Sequence, residues 1–219
     1  MAYIYLIGVG FYALIWVLFF SIRKDLRRKI IFMSLFAAPL GISELLFIPT
    51  YWIPQFQTIH LFKEVFLESI LFCFFLGGVV STIYQVLFNE KLFETKKINP
   101  LLTLIAPTLF SIYFLKIFDI NVMHYAVTSM FIGSFFILYY LKKTSKKIIY
   151  SAIISAFLYF VPYFILWHSF PELSASYQFQ NLSGIFFGGI PIEEVLWIFS
   201  FSLYWAPIYE IWKNYFKKS

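Results

Sequence analysis

Four glutamates, Glu44, Glu68, Glu193 and Glu194, lie inside long apolar runs of the sequence. A strongly polar residue in such a run costs about 2.5–3.5 kcal/mol to insert into a bilayer, and those that occur usually face a protein interior. Glu193 and Glu194 are adjacent, inside "GGIPIEEVLWIFSFSLYWAPIYEIW" (188–212). Neighbours on a helix point about 100° apart, so two acids there aim at two places. Trp197 stands four residues after Glu193 and Tyr204 eleven after it; Phe72 and Phe75 stand four and seven after Glu68. Such spacings share a helical face, so each acid heads an aromatic stripe. A carboxyl group set against rings and away from water can hold a proton and deliver it to an apolar substrate. The ring faces would attract the resulting cation. The candidate site is therefore Glu193, Glu194 and Glu68 as acid and base, with Pro191, Trp197, Phe72, Phe75, Tyr204 and Glu44 around the substrate. The plainer reading makes Glu193 a helix-start residue at the positive end of the dipole and the rings ordinary packing.

The elements that must position these residues are membrane helices. The chain of 219 residues is 61% hydrophobic, 24% aromatic and 13% charged, with a mean hydropathy of +0.81. A soluble domain is nearer half apolar. Several runs approach the roughly 20 apolar residues that cross a bilayer. The expected fold is an all-α polytopic membrane protein in which 1–219 form a single membrane domain. Seven spans are expected, at 3–22, 30–48, 63–88, 101–118, 122–141, 148–167 and 185–209. The first run shows no small-residue cleavage site after it and reads as a retained helix. Cys73 is the single cysteine, so an intrachain disulfide and a multi-cysteine metal site are both excluded, and no metal is expected.

Charge sets the expected orientation. Fifteen of the 17 basic residues follow spans one, three, five and seven: Arg23, Lys24, Arg27, Arg28 and Lys29; Lys91, Lys96 and Lys97; Lys142, Lys143, Lys146 and Lys147; Lys213, Lys217 and Lys218. The positive-inside rule makes that face cytoplasmic. The N-terminus is then outside, the C-terminus inside, in a cell (inner) membrane. His60, His124 and His168 fall on or near the outer side. The net charge of +6 is explained by topology and anionic lipid, without nucleic acid.

An internal repeat is expected as well. "LESILFCFFLGGVVSTIYQVLF" (67–88) aligns without gaps on "IEEVLWIFSFSLYWAPIYEIWK" (192–213) at an interval of 125, which sets Glu68 on Glu193 and Ile83-Tyr84-Gln85 on Ile208-Tyr209-Glu210. Further upstream Pro54 faces Pro171 at an interval of 117. The reading is two tandem parallel three-helix repeats, 1–88 and 122–213, joined by a linker helix at 101–118. Their axis lies along the membrane normal, across which Glu68 and Glu193 would converge.

"YQFQNLSGIFFGGIPIEEVLW" (177–197) resembles the lycopene cyclase domain of the small integral-membrane carotenoid cyclases. Phe179-Gln180, Gly184, Gly188 and Pro191-Ile192-Glu193-Glu194 fill the places of the family pattern. Tandem three-helix repeats are also the family arrangement. In that family each half carries Pro-x-Glu-Glu; repeat one here has Phe66-Leu67-Glu68-Ser69 instead. The resemblance implies Pro191, Glu193, Glu194 and, more weakly, Glu68 as functional positions. It implies a redox-neutral ring closure of the isomerase class on a lipid-soluble polyene or isoprenoid. A carboxylic acid protonates the terminal double bond, a neighbouring double bond attacks the tertiary cation, and a base removes a ring proton.

Other classes fit less well. A three-one-three repeat also builds small transporters, but Pro54-Gln55 falls in a loop and the spans hold few amides. A retinal protein would need a lysine between Ile185 and Trp212, where none stands. A prenyl-processing Glu-Glu protease would want a basic residue where Ile198 is. Prenyltransferases use clustered aspartates, and only Asp25 and Asp119 are present. A non-catalytic isoprenoid-binding relative stays open. No cofactor is evident, since Gly77-Gly78 and Gly188-Gly189 lie in membrane runs; a flavin or nicotinamide requirement is left open, and a homo-oligomer is compatible with the sequence.

Overall fold

The computed structural model describes residues 3–95, 97–101, 113, 117 and 121–216. Most of the expected linker span at 101–118, with Lys96, Lys217 and Lys218, lies outside the described residues. The described chain is mostly helical, as a bilayer requires of a segment that must satisfy its own backbone hydrogen bonds. Its helices are α1 (Ile4–Ile22), α2 (Arg27–Ala37), α3 (Glu44–Phe47), α4 (Leu67–Leu87), α5 (Val122–Tyr140), α6 (Ser145–Ser169), α7 (Ile192–Trp205) and α8 (Ile208–Phe216). Short 3-10 turns at Lys24–Leu26 and Ala38–Ser43 extend α2 and α3 into one helical course. Among the described residues five runs are long and apolar enough to cross a membrane: Ile4–Ile22, Lys24–Phe47, Leu67–Leu87, Val122–Tyr140 and Ser145–Ser169. These correspond to expected spans one, two, three, five and six, with ends that differ by up to six residues; expected span seven is not among them.

The starts of spans three and seven differ from expectation for one cause. The residues expected to open spans three and seven form β-hairpins instead. Strands β1 (His60–Phe62) and β2 (Val65–Phe66) pair antiparallel just before α4. Strands β3 (Phe186–Phe187) and β4 (Ile190–Pro191) do the same just before α7. Both loops are two residues long, so the backbone must turn through positive φ. Gly188 and Gly189 adopt φ of 58° and 80°, and Lys63 adopts 46°. Proline then suits the boundary at Pro191, because its fixed φ and missing N–H are tolerated at a helix start.

Span seven is also cut at its far end. Pro207 has no N–H to donate and its ring would crowd the carbonyl of Leu203, four residues back. The helix therefore stops at Trp205 and restarts at Ile208 as α8. Its expected continuous course from 185 to 209 is a hairpin, a helix of 14 residues and a separate short helix.

The chain divides into two compact units. The first comprises Met1–Val79 and Leu158–Ile192 and holds both hairpins. There the two long connections are interlocked. Trp52 and Tyr177 form an antiparallel bridge, flanked by Ile53 N–H donating to Ser176 O at 2.7 Å and Gln178 N–H donating to Tyr51 O at 3.0 Å. Tyr177 also packs edge-on against Tyr51 and Trp167, with ring centroids 5.5 and 5.4 Å away, and its hydroxyl meets that of Tyr163. The second unit comprises Val80–Phe157 and Glu193–Ser219. Its core gathers Tyr84, Phe93, Ile137, Leu141, Ile148, Ala152, Leu203, Ala206 and Ile211. Glu210 is buried in this unit, accepting from Phe93 N–H at 3.3 Å. Asn214 donates to Thr95 O at 3.0 Å, so the segment after α4 is tied to α8.

Candidate functional site

In the first unit the acids sit where α4 begins. Glu68 is in the first turn of α4 and only 2% exposed. One carboxylate oxygen accepts from Thr58 N–H at 2.6 Å, Thr58 Oγ1 at 2.7 Å and Ile59 N–H at 3.1 Å, and the other lies 3.3 Å from Ile59 N. Hydrogen bonds to an ionised acceptor are about twice as strong as neutral ones. Glu68 thus fastens the segment leading into β1 onto the helix start.

Glu44, at the start of α3, is buried beside it. Gln57 Nε2 donates to one of its oxygens at 2.9 Å, and the Ser69 hydroxyl donates to the other. Gln57 Nε2 is also 2.9 Å from Ser69 Oγ. The approach depends on Gly41, where a Cβ would meet the Ile70 backbone at 2.7 Å. Ser69 stands at the place that Glu194 holds 125 residues later. In this unit, then, a second carboxylate reaches that place from another helix.

The aromatic residues expected after Glu68 pack in the same unit. Phe72 meets Tyr12 and Tyr159 edge-on, at 5.5 and 6.5 Å between centroids. Phe75 meets Trp16 at 6.0 Å. Trp16 donates to Ser34 Oγ at 2.8 Å, and Gly78 leaves room for both, since a Cβ there would lie 2.6 Å from Trp16 Nε1. Pro191 closes the second hairpin and is buried.

In the second unit, Glu193 and Glu194 occupy the first turn of α7 and are 2% and 5% exposed. The backbone N–H groups of a first turn favour acidic side chains. Glu193 Oε1 lies 3.3 Å from His124 Nε2, whose side chain is 38% exposed against 3% for the glutamate. His124 belongs to the first turn of α5, which is fixed by the Asn121 cap: its Oδ1 accepts from Met123 N–H at 2.8 Å. Below Glu193 the stripe continues in steps of four. Trp197 stacks on Phe201 (5.7 Å, 8°), and Phe201 on Trp205 (5.1 Å, 21°). Tyr204, expected on that stripe, instead packs against the core around Leu203 and Ile137.

Within the first unit the structure thus brings together Glu44, Glu68 and the residues around Ser69, and within the second Glu193, Glu194 and Trp197. Sequence reasoning missed His124, Gln57, Thr58, Phe201 and Trp205. A four-residue step from Trp197 would have found the two rings. His124 carried the signal of standing at the same end of its helix as Glu193 does.

A polytopic, helical membrane domain with a buried Glu-Glu pair behind a Gly-Gly hairpin is the class these features define. Residues 121–212 match the family model described as lycopene cyclase. The match spans less than half of the chain, takes in α5, α6, the second hairpin and α7, and includes His124, Pro191, Glu193 and Glu194. Over that stretch the chain is similar to the lycopene cyclase family. No curated protein and no solved structure matches the chain.

Proposed function

We propose that this protein is a membrane-embedded carotenoid or isoprenoid cyclase that closes a terminal ring on a linear polyene. The observation that carries the reading is the pair Glu193-Glu194, buried in the first turn of α7 inside the lycopene cyclase match. Glu193 gives its proton to the terminal double bond. The tertiary cation forms with the Trp197 ring stack on the same helix, and ring faces attract cations. A neighbouring double bond of the substrate attacks that cation, and a carboxylate takes the ring proton. No atom is gained or lost, and no redox partner is used. Glu194, in the same helical turn, is that base.

The reading includes the architecture of seven spans in two parallel repeats around one axis. Three observations support it. The two hairpins share their closing pair at the 125-residue interval: Phe62 with Val65, and Phe187 with Ile190. Each leads straight into a helix with a buried glutamate at its second position. Trp52 and Tyr177 also stand 125 residues apart and are bridge partners, as equivalent residues on a two-fold axis would be. The loops at 89–100 and 142–147 are cytoplasmic in this reading, and the connection at 168–184 is external.

The test is expression in cells that accumulate lycopene or other linear polyenes, followed by pigment analysis. Cyclic pigments that disappear with Glu193→Gln or Glu194→Gln support the reading. Unchanged linear pigment in cells holding the folded protein would favour a transporter or a non-catalytic binder.

A further inference from the structure

The pair formed by His124 and Glu193 lies within one unit and joins a half-open side chain to a closed one. Glu193 is 3% exposed and His124 38%, with Nε2 and Oε1 at 3.3 Å. Both groups stand in the first turn of their helices. Resting on the cyclisation reading, we propose that His124 recharges Glu193 with a proton from water between turnovers.

The proton accounting requires such a step. Glu193 gives one proton to the polyene, and the ring gives one back to a base. When donor and base are different carboxyls, the substrate leaves unchanged in formula but Glu193 is left ionised and the base protonated. His124 corrects this by passing its Nε2 proton to Glu193 Oε1 and taking a proton from water on its exposed side; proton exchange of the ring with water then restores the Nε2–H tautomer. The base releases its proton to water, so the cycle consumes none. A burial of this depth would make direct recharging of Glu193 by bulk water slow. Imidazole suits the task because it can donate at one nitrogen and accept at the other.

Two variants separate relay from mere support. His124→Ala removes the ring; His124→Gln keeps an amide that can hydrogen-bond Glu193 but cannot carry a proton through. Turnover and KM are measured on the purified protein with a linear polyene in micelles, with and without millimolar imidazole. Both variants should lose turnover by about 10²-fold, the scale of an acid–base group, with KM little changed. Imidazole should restore His124→Ala, whose side-chain space is open to solvent, and leave His124→Gln and Glu193→Gln inactive. Wild-type turnover in either variant overturns the relay. So does an active His124→Gln beside a His124→Ala that imidazole does not restore, because His124 would then only hold Glu193 in place. A wild-type protein that makes no cyclic product removes the cyclisation reading itself, and the relay with it.

Discussion

Gly41 is the point where the fold of the first unit can be tested most sharply. A Cβ on Gly41 would lie 2.7 Å from Ile70 N and Cα and 2.8 Å from Ser69 C, about 0.7 Å inside the 3.4 Å of an ordinary contact. All three atoms are backbone of α4, so none can rotate away. Gly41→Ala must therefore push the 3-10 turn and α3 off α4. Overpacking of this kind costs about 1–3 kcal/mol. The same displacement stretches the Ser69 and Gln57 hydrogen bonds to Glu44, together worth about 2 kcal/mol. A loss of about 3–5 kcal/mol follows, at roughly 2–4 °C per kcal/mol for a chain of this size. Thermal unfolding in detergent, followed by tryptophan fluorescence, should show Gly41→Ala lower by about 6–20 °C. Gly8→Ala and Gly10→Ala are the controls. Nothing lies within 4 Å of a Cβ at either, and alanine is worth about 0.5–1 kcal/mol over glycine inside a helix. A Gly41→Ala protein that melts with the wild type would refute the close approach, and with it the delivery of Glu44 to Ser69.

Lys63→Gly should raise the melting temperature by a few degrees, because glycine relieves a φ of 46° that costs other residues about 1–2 kcal/mol. Gly188→Ala should lower it, since φ is 58° and a Cβ would press on Phe164 at 2.8 Å. Thr58→Val should destabilise by about 1.5–3 kcal/mol through the lost hydroxyl bond to Glu68, and Thr58→Ser should not, by the same melting assay. Cysteines at Ser183 and Lys143, in a Cys73→Ala background, report orientation: a membrane-impermeant thiol reagent on intact cells should label only the one at 183. Glu210→Gln should leave turnover near wild type, because Gln keeps an acceptor for Phe93 N–H; Glu210→Ala should speed amide exchange at 93–95, read by mass spectrometry.

The apolar runs made the helices legible, and the density of aromatic residues and scarcity of charge left no other class. Helix starts were harder, because "HLFKEVF" and "FFGGIPI" are as apolar as the helices they precede. Only the Gly-Gly pair with Pro191 gave a local sign, and it placed the start of α7 correctly. The Lys63-Glu64 turn gave none, since a lysine at positive φ is not written in its side chain. Pro207 was legible as a helix breaker but was read through. The acids were found because a charge in an apolar run is expensive. Their partners were not, because Thr58, Gln57 and His124 are ordinary residues until the fold brings them to a carboxylate.

Those partners assign different work to the two matched glutamates. Glu68 accepts from two backbone N–H groups and a hydroxyl, all donors and none able to give up a proton at modest cost. Such an environment fixes the position of the carboxyl group. It suits a clasp that holds the first hairpin. Glu193 instead faces an imidazole, a partner that can both give and take a proton, and it heads the Trp197–Phe201–Trp205 stack. Sequence symmetry alone would make the two acids interchangeable; the imidazole beside Glu193 does not. The proton donor is therefore expected in the half that carries the complete Pro-x-Glu-Glu motif. In the other half, the serine at the second acid's place donates to Glu44, which reaches it from another helix.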